Sequence, residues 1–234
     1  MQSTTITMDA SKSFYQYAPA GDFIVTDEDA ADFLQSQFAN ELRPFNVGQA
    51  TYGLWLDVKG KVIADSVVLC EGAEQFRVIS ECCVGELIIA HMERHIIADD
   101  VEIENGDSTY GFELSAQAVE ALGLECPKSG RFIQIEGGIL YSAHDSIYNI
   151  VVYAESAAKL VFEKLTDLGF IEISVSERGL ARIERGRPLV PDEIGAADIP
   201  GEGGLELDAI SFTKGCYLGQ EVGARMHDVG KAQR

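Results

Sequence analysis

Basic residues are scarce in this chain. It has 18 lysines and arginines against 38 aspartates and glutamates in 234 residues, a formal net charge of −20. A surface of that sign repels phosphate backbones and anionic bilayers, which disfavours stable nonspecific nucleic-acid binding and membrane docking. Cysteine is sparse and odd in number (Cys70, Cys82, Cys83, Cys126 and Cys216), with no C-x-x-C. That argues against a disulfide framework and a ferredoxin-like cluster set, and it fits free thiols in a reducing cytoplasm. Long apolar runs are missing: no window approaches the ~20 residues of a membrane helix. The start, MQSTTITMDASKSF, has neither the basic end nor the apolar stretch of a secretory signal. There is no G-x-G-x-x-G, and Glu136-Gly137-Gly138-Ile139 lacks the glycines and lysine of a P-loop.

What is present is a chain that can build a core. Apolar residues make up 46 %, and the length suits one large or two small domains. Residues 1–20 read as a polar N-terminal arm. Gly21 to Thr26 reads as a strand, and the helix after it buries Ala30, Phe33, Leu34 and Phe38 at helical spacing. Two β-rich runs flank the turn signal Asp57-Val58-Lys59-Gly60, a third strand covers Phe76 to Ser80, and helical periodicity runs from Val84 to Ile97. The same order returns around Glu136-Gly137-Gly138: a hairpin, a strand from Ile147 to Tyr153, and an amphipathic helix from Glu155 to Leu168. A strand at Phe170–Val175, a helix around Glu177–Glu184 and a glycine- and proline-rich loop from Gly186 to Gly204 follow. This is an α+β pattern with a pseudo-duplicated unit, halves around 21–110 and 111–210, and no βαβ rhythm.

The densest chemistry lies in Lys214-Gly-Cys-Tyr-Leu-Gly-Gln-Glu221. A cysteine beside glycine sits where the backbone turns freely. Lys214, two residues from Cys216, is expected to favour the reactive thiolate. Arg178, Arg182 and Arg185 fall at i, i+4 and i+7 on one helical face, suited either to an anionic ligand or to surface carboxylates. Within Arg182-Ile-Glu-Arg-Gly186, the Glu184 carboxylate can accept two adjacent N–H donors, and its arginine neighbours keep it ionised. His91 and His95 share a helical face, but HMERH is not H-E-x-x-H and no third ligand is evident, so packed and solvated histidines are expected.

KGCYLGQE resembles the signature of the YgfZ group of folate-binding proteins, relatives of the glycine-cleavage T-protein, and the likeness runs from about Gly21 to Arg234. DEDAADFLQSQFANEL is similar to that family's first helix and YGLWLDVKGKVIADSVVL to its hairpin. RIERG resembles the Arg-x-Glu-x-Gly that holds the pterin, and Gly230-Lys231 with Arg234 resembles the basic tail of the motif. The resemblance implies a folate-binding module over 21–234 that takes tetrahydrofolate. The ligand would be held by Glu184, Arg182, Arg185, Asp65, Gln220 and Glu221, with Cys216 and Lys214 as the chemical pair. It also implies an accessory role in assembly or repair of iron–sulfur enzymes, with client or assembly proteins as partners. The alternative is a tetrahydrofolate-dependent aminomethyl or one-carbon transferase. T-proteins carry paired aspartates in the hairpin; here the pair is Ala64-Asp65, which counts against that alternative. Family members continue into a C-terminal β-barrel, so the expected module is one without it.

Overall fold

A computed structural model describes residues 12–107, 110–144 and 147–220. Its strands are β1 (Ser13–Tyr17), β2 (Gly21–Thr26), β3 (Ala50–Leu56), β4 (Val62–Cys70), β5 (Gln75–Ser80), β6 (Glu102–Asn105), β7 (Tyr110–Leu114), β8 (Arg131–Ile135), β9 (Gly138–His144), β10 (Ile147–Val152) and β11 (Ile171–Glu172). The helices are α1 (Ala30–Gln37), α2 (Gly85–Glu93), α3 (Ala116–Ala121), α4 (Glu155–Asp167) and α5 (Val175–Glu184). The fold is α+β, with two sheets of mainly antiparallel pairing.

The sheets repeat one order. The first runs β3-β4-β5-β2-β6, and the second runs β8-β9-β10-β7-β1-β11. In each, a hairpin and a third strand are followed by a helix, and the third strand pairs with the strand that precedes the hairpin. One insertion breaks the likeness: β1 wedges between β7 and β11, antiparallel to one and parallel to the other. Ser13–Tyr17 is therefore a sheet strand and not an arm. The run SFYQY suits a pleated half-buried surface, and Phe14 is buried against Phe112 and Phe162.

Three apolar clusters show the layering. One lies between the first sheet and α1 and α2, and another between the second sheet and α3 and α4. The third, with Val67, Leu69, Ile79, Phe132, Ile139 and Val151, fills the space between the sheets. The sheet edges are joined where Ala50 N donates to Gly130 O and Phe132 N to Gly48 O. Strand alternation decides which layer each side chain enters. On β4, Ala64, Val68 and Cys70 enter the helix-side core, while Val67 and Leu69 face the other sheet. Asp65 shares the parity of Val67 and Leu69.

Helix α5 has no fully buried residue. It starts on a capping box, with Ser174 and Glu177 exchanging hydrogen bonds. The segment after it packs Val190, Ile194, Leu205, Ala209, Ile210 and Tyr217 into the first core. Together they close over the open end of the inter-sheet layer.

Candidate functional site

At that end the apolar layer gives way to a polar cavity. Its walls include Tyr52, Asp65, Glu81 and Cys82 from the first sheet and its margin, and Glu113, Tyr141, His144 and Asn149 from the second. Arg178, Arg182, Arg185 and Arg187 line it from α5 and the residues just beyond. Asp65 accepts from Tyr52 Oη at 3.0 Å and from Cys83 Sγ at 3.4 Å. Desolvation raises its carboxyl to about 6, against the opposing pull of those two bonds. Among the described residues, no arginine is bonded to it. Glu81 is also raised by desolvation, but Arg178 offsets part of the effect.

Burial pushes the Cys82 thiol up to about 12, helped by the Glu81 and Asp65 carboxylates. Cys83 rises to about 12 for the same first reason and because Asp65 faces it. Tyr52 and Tyr141 are likewise raised by desolvation. The cavity thus holds neutral phenols, the neutral Cys82 thiol and one carboxyl poised near neutrality. Such a set can accept a proton or an N–H bond at Asp65 and offer aromatic faces to a flat ring.

Cys216 lies elsewhere, on an exposed loop, and is not among the residues lining the cavity. Lys214 is buried at the C-terminal end of α1. Its Nζ donates to the carbonyls of Gln35, Phe38 and Asn40 at 2.7, 2.7 and 3.0 Å. It also sits 5.1 Å from the centroid of the Tyr217 ring. Carbonyls at a helix end lack intrahelical donors and attract cations, which is why the ammonium turns there. Burial pulls it down to about 8, with Glu41 opposing and Arg43 assisting.

The rest of the loop is tied down too. Ser211 N donates to Ala39 O and Leu218 N to Ser36 O. Gly219 has a φ of +83° and lies so close to the β3–β4 turn that a Cβ would meet Asp57 O at 2.5 Å. The expected pairing of Lys214 with the Cys216 thiol is therefore corrected: all three ammonium donors are engaged by backbone.

Of the residues expected to meet a ligand, the structure brings Asp65, Arg182 and Arg185 together in the cavity. Glu184 is exposed at the end of α5 and does not line it. Two residues from Arg182 on a helix is just over half a turn, so the two side chains face different ways. Gln220 caps the thiol loop, its N–H on Tyr217 O, and does not line the cavity. Glu221, Lys231 and Arg234 lie outside the described residues. Ala64 is fully buried in the helix-side core, so a carboxylate there would not enter the cavity.

Sequence reasoning missed Tyr52, Glu81, Cys82, Glu113, Tyr141, Arg187 and Asp208. Strand parity could have found Tyr52, which shares a face with Ala50. Among the described residues, no group of three or more His, Cys, Asp or Glu is placed to hold a metal ion. No helix among them is long and apolar enough to cross a membrane.

Comparison with known proteins agrees with this architecture. The chain is 28 % identical over 219 residues to a tRNA-modifying protein YgfZ from Escherichia coli O157:H7. It is 27 % identical over the same length to one from Shigella boydii serotype 18. Each match covers 90 % of this chain, which spans 66 % of the length of those relatives. Among solved structures, the glycine cleavage system aminomethyltransferase T from Bartonella henselae superposes with a TM-score of 0.80 at 14 % identity. That match covers 95 % of this chain and 65 % of that one, and it shows the shared fold. Residues 9–125, half of the chain, match the GCVT N-terminal domain model. The chain belongs to that family, and it is consistent with the YgfZ type.

Proposed function

We propose that this chain is a reduced-folate-binding protein and that the inter-sheet cavity receives the pterin ring of tetrahydrofolate. The observation that supports this most is Asp65, a desolvated carboxyl in the cavity that no arginine among the described residues bonds. Its remaining acceptor capacity suits the adjacent N–H donors of a pterin edge. Tyr52 and Tyr141 supply flat faces beside it, so the residues present fit the ligand. Bound folate supplies a one-carbon carrier; the protein's own residues orient the ring, exclude water and hold a proton at Asp65.

The cellular role in this reading is accessory support of iron–sulfur enzyme assembly or repair, with Cys216 as the presented thiol. The relatives bear the name tRNA-modifying protein. With a net charge of −20, this chain suits an indirect part in such modification, through a client enzyme, better than direct docking on RNA.

The test is calorimetric titration of the protein with tetrahydrofolate, with Asp65→Asn and Glu184→Gln beside it. Asp65→Asn is expected to weaken binding roughly tenfold, the scale of a lost charge-assisted bond, and Glu184→Gln to leave it unchanged. Absence of binding by the wild-type protein would overturn the reading.

A second reading, transfer of a one-carbon unit to folate, is favoured by the same carboxyl. At about 6, Asp65 is matched to proton transfer near neutrality. A reconstituted glycine-cleavage assay decides between them. Turnover abolished by Asp65→Asn would establish the transferase, and background rates from the wild type would leave the binding role.

A further inference from the structure

The four arginines facing the cavity differ in how far they are satisfied. Arg178 donates to Glu113 at 2.9 Å and to Glu81 at 2.6 Å. Arg182 is bidentate to Glu193 at 2.8 and 2.7 Å and also bonds the Arg187 carbonyl. Arg185 has one long bond, 3.3 Å to Glu113. The Arg187 guanidinium donates no hydrogen bond to a described residue; its partner is the Asp208 carboxylate at 3.6 Å.

Exposure does not explain the difference between the last two. The Arg187 side chain is 29 % exposed and that of Arg185 is 43 %, so the more buried cation has the poorer partner. Five N–H donors held partly out of water with one carboxylate at long range are costly. Burial accordingly pulls Arg187 below the usual guanidinium range.

Its position adds direction. The Arg187 cation partly opposes the rise of the Tyr52 phenol, and Tyr52 is bonded to Asp65. Tyr52, Ala143 and Asp208 border both the cavity and the outer groove that runs past Asn40 and Arg131. Arg187 lines the cavity and pairs with Asp208, which borders the groove as well.

We propose that Arg187 is the anion-binding group of this cavity. It receives the carboxylate of a ligand whose ring lies at Asp65, with Arg185 as a second donor and Asp208 as the carboxylate that the ligand displaces. This rests on the folate reading above, and it moves the anion site off Arg178 and Arg182, which already hold carboxylates at hydrogen-bond distance.

Two probes separate the parts: tetrahydrofolate, which carries a glutamate tail, and 6-methyltetrahydropterin, which has the ring and no carboxylate. Calorimetry at low salt should show Arg187→Met weakening tetrahydrofolate roughly tenfold with no change for the methylpterin. Arg187→Lys should recover part of the loss. Asp208→Asn should act with the opposite sign, tightening tetrahydrofolate roughly twofold to fivefold, and both effects should shrink as salt rises. Thermal melts of each variant show whether the fold is intact.

Equal tetrahydrofolate affinity in the wild type and Arg187→Met would overturn the assignment. So would an equal loss for both probes, or no tightening in Asp208→Asn. Failure of both probes to bind the wild type would instead sink the folate reading itself.

Discussion

The thiol loop and the inter-sheet cavity treat their charged groups in opposite ways. In the loop, Lys214 is buried with three carbonyl acceptors for its three donors, and nothing is left for a ligand. In the cavity, Arg187 lacks a hydrogen bond to any described residue, and Asp65 is desolvated with no described cation bonded to it. Both regions are rich in chemically capable residues. The difference teaches that a dense motif can spend its charge on the fold, while a sparser site keeps charge in reserve for a partner.

The largest expected effect tests the first half of that contrast. Lys214→Met removes three hydrogen bonds at the end of α1 and should lower unfolding free energy by about 3–4 kcal/mol, read by urea denaturation. Lys214→Arg should not restore it, because a planar fork cannot converge on three carbonyls as an ammonium does. Unchanged stability with a slower Cys216 thiol would break the comparison and return Lys214 to the chemistry.

Asp65→Asn tests the other half, and its sign is opposite. The folded carboxyl titrates near 6 against a reference of 3.8. The folded state therefore binds its proton more tightly, and this group's contribution falls as pH rises from about 4 to 6. Removing the charge should stabilise the protein by about 2–3 kcal/mol at pH 7 and by nothing at pH 3. The same variant is expected to bind tetrahydrofolate roughly tenfold more weakly. Thermal melts across pH that show destabilisation at pH 7 would mean that Asp65 serves the fold.

Much of the fold was legible because hydrophobic period survives in single segments. The turns at Asp57–Gly60 and Glu136–Gly138 and the apolar faces of α1, α2 and α4 follow from it directly. Strand β1 was not legible: its partners β7 and β11 lie about 100 and 160 residues away, and a short aromatic run next to a polar start carries no sign of them. The site was legible in part. Asp65 followed from the likeness of Ala64-Asp65 to the paired aspartates of T-proteins, but the layer it enters depends on parity against a second sheet. Glu184 was drawn into the site by motif spacing, and helix phase puts it outside. Lys214 was paired with Cys216 by closeness in sequence, whereas its partners come from α1. Arg187 gave no signal, because whether a guanidinium is satisfied is decided by the surrounding fold.

His91 sharpens the comparison by limiting it. It is buried on α2 with Nε2 unpartnered, yet it lines neither the cavity nor the groove. An unsatisfied atom alone does not make a site. Its imidazole is pulled to about 4, first by burial, then by His95 and Arg94, with Asp57 opposing. The unfolded chain takes the proton first, so stability from this group is lost as pH falls from about 6.5 to 4. His91→Leu should therefore gain about 1–2 kcal/mol at pH 5 relative to its effect at pH 8. An equal effect at both values, read by denaturant titration, would show that His91 is not the acid-sensitive group.

The smallest effect concerns rates rather than stability. Cys216 is the exposed cysteine; Cys70 and Cys83 are buried, and Cys82 and Cys126 are partly covered. Burial raises the thiols of Cys70, Cys82, Cys83 and Cys126, which lowers their thiolate fraction. Iodoacetamide at pH 8, quenched early and read by peptide mass spectrometry, should therefore modify Cys216 first and Cys82 and Cys83 last. Access, not a lysine, is the cause, so tetrahydrofolate in the cavity should slow Cys82 and leave Cys216 unchanged. Protection of Cys216 by folate would join the loop to the cavity as one site. Labelling of Cys82 ahead of Cys216 would show that the cavity holds the more reactive thiol, and the contrast between the two regions would then be reversed.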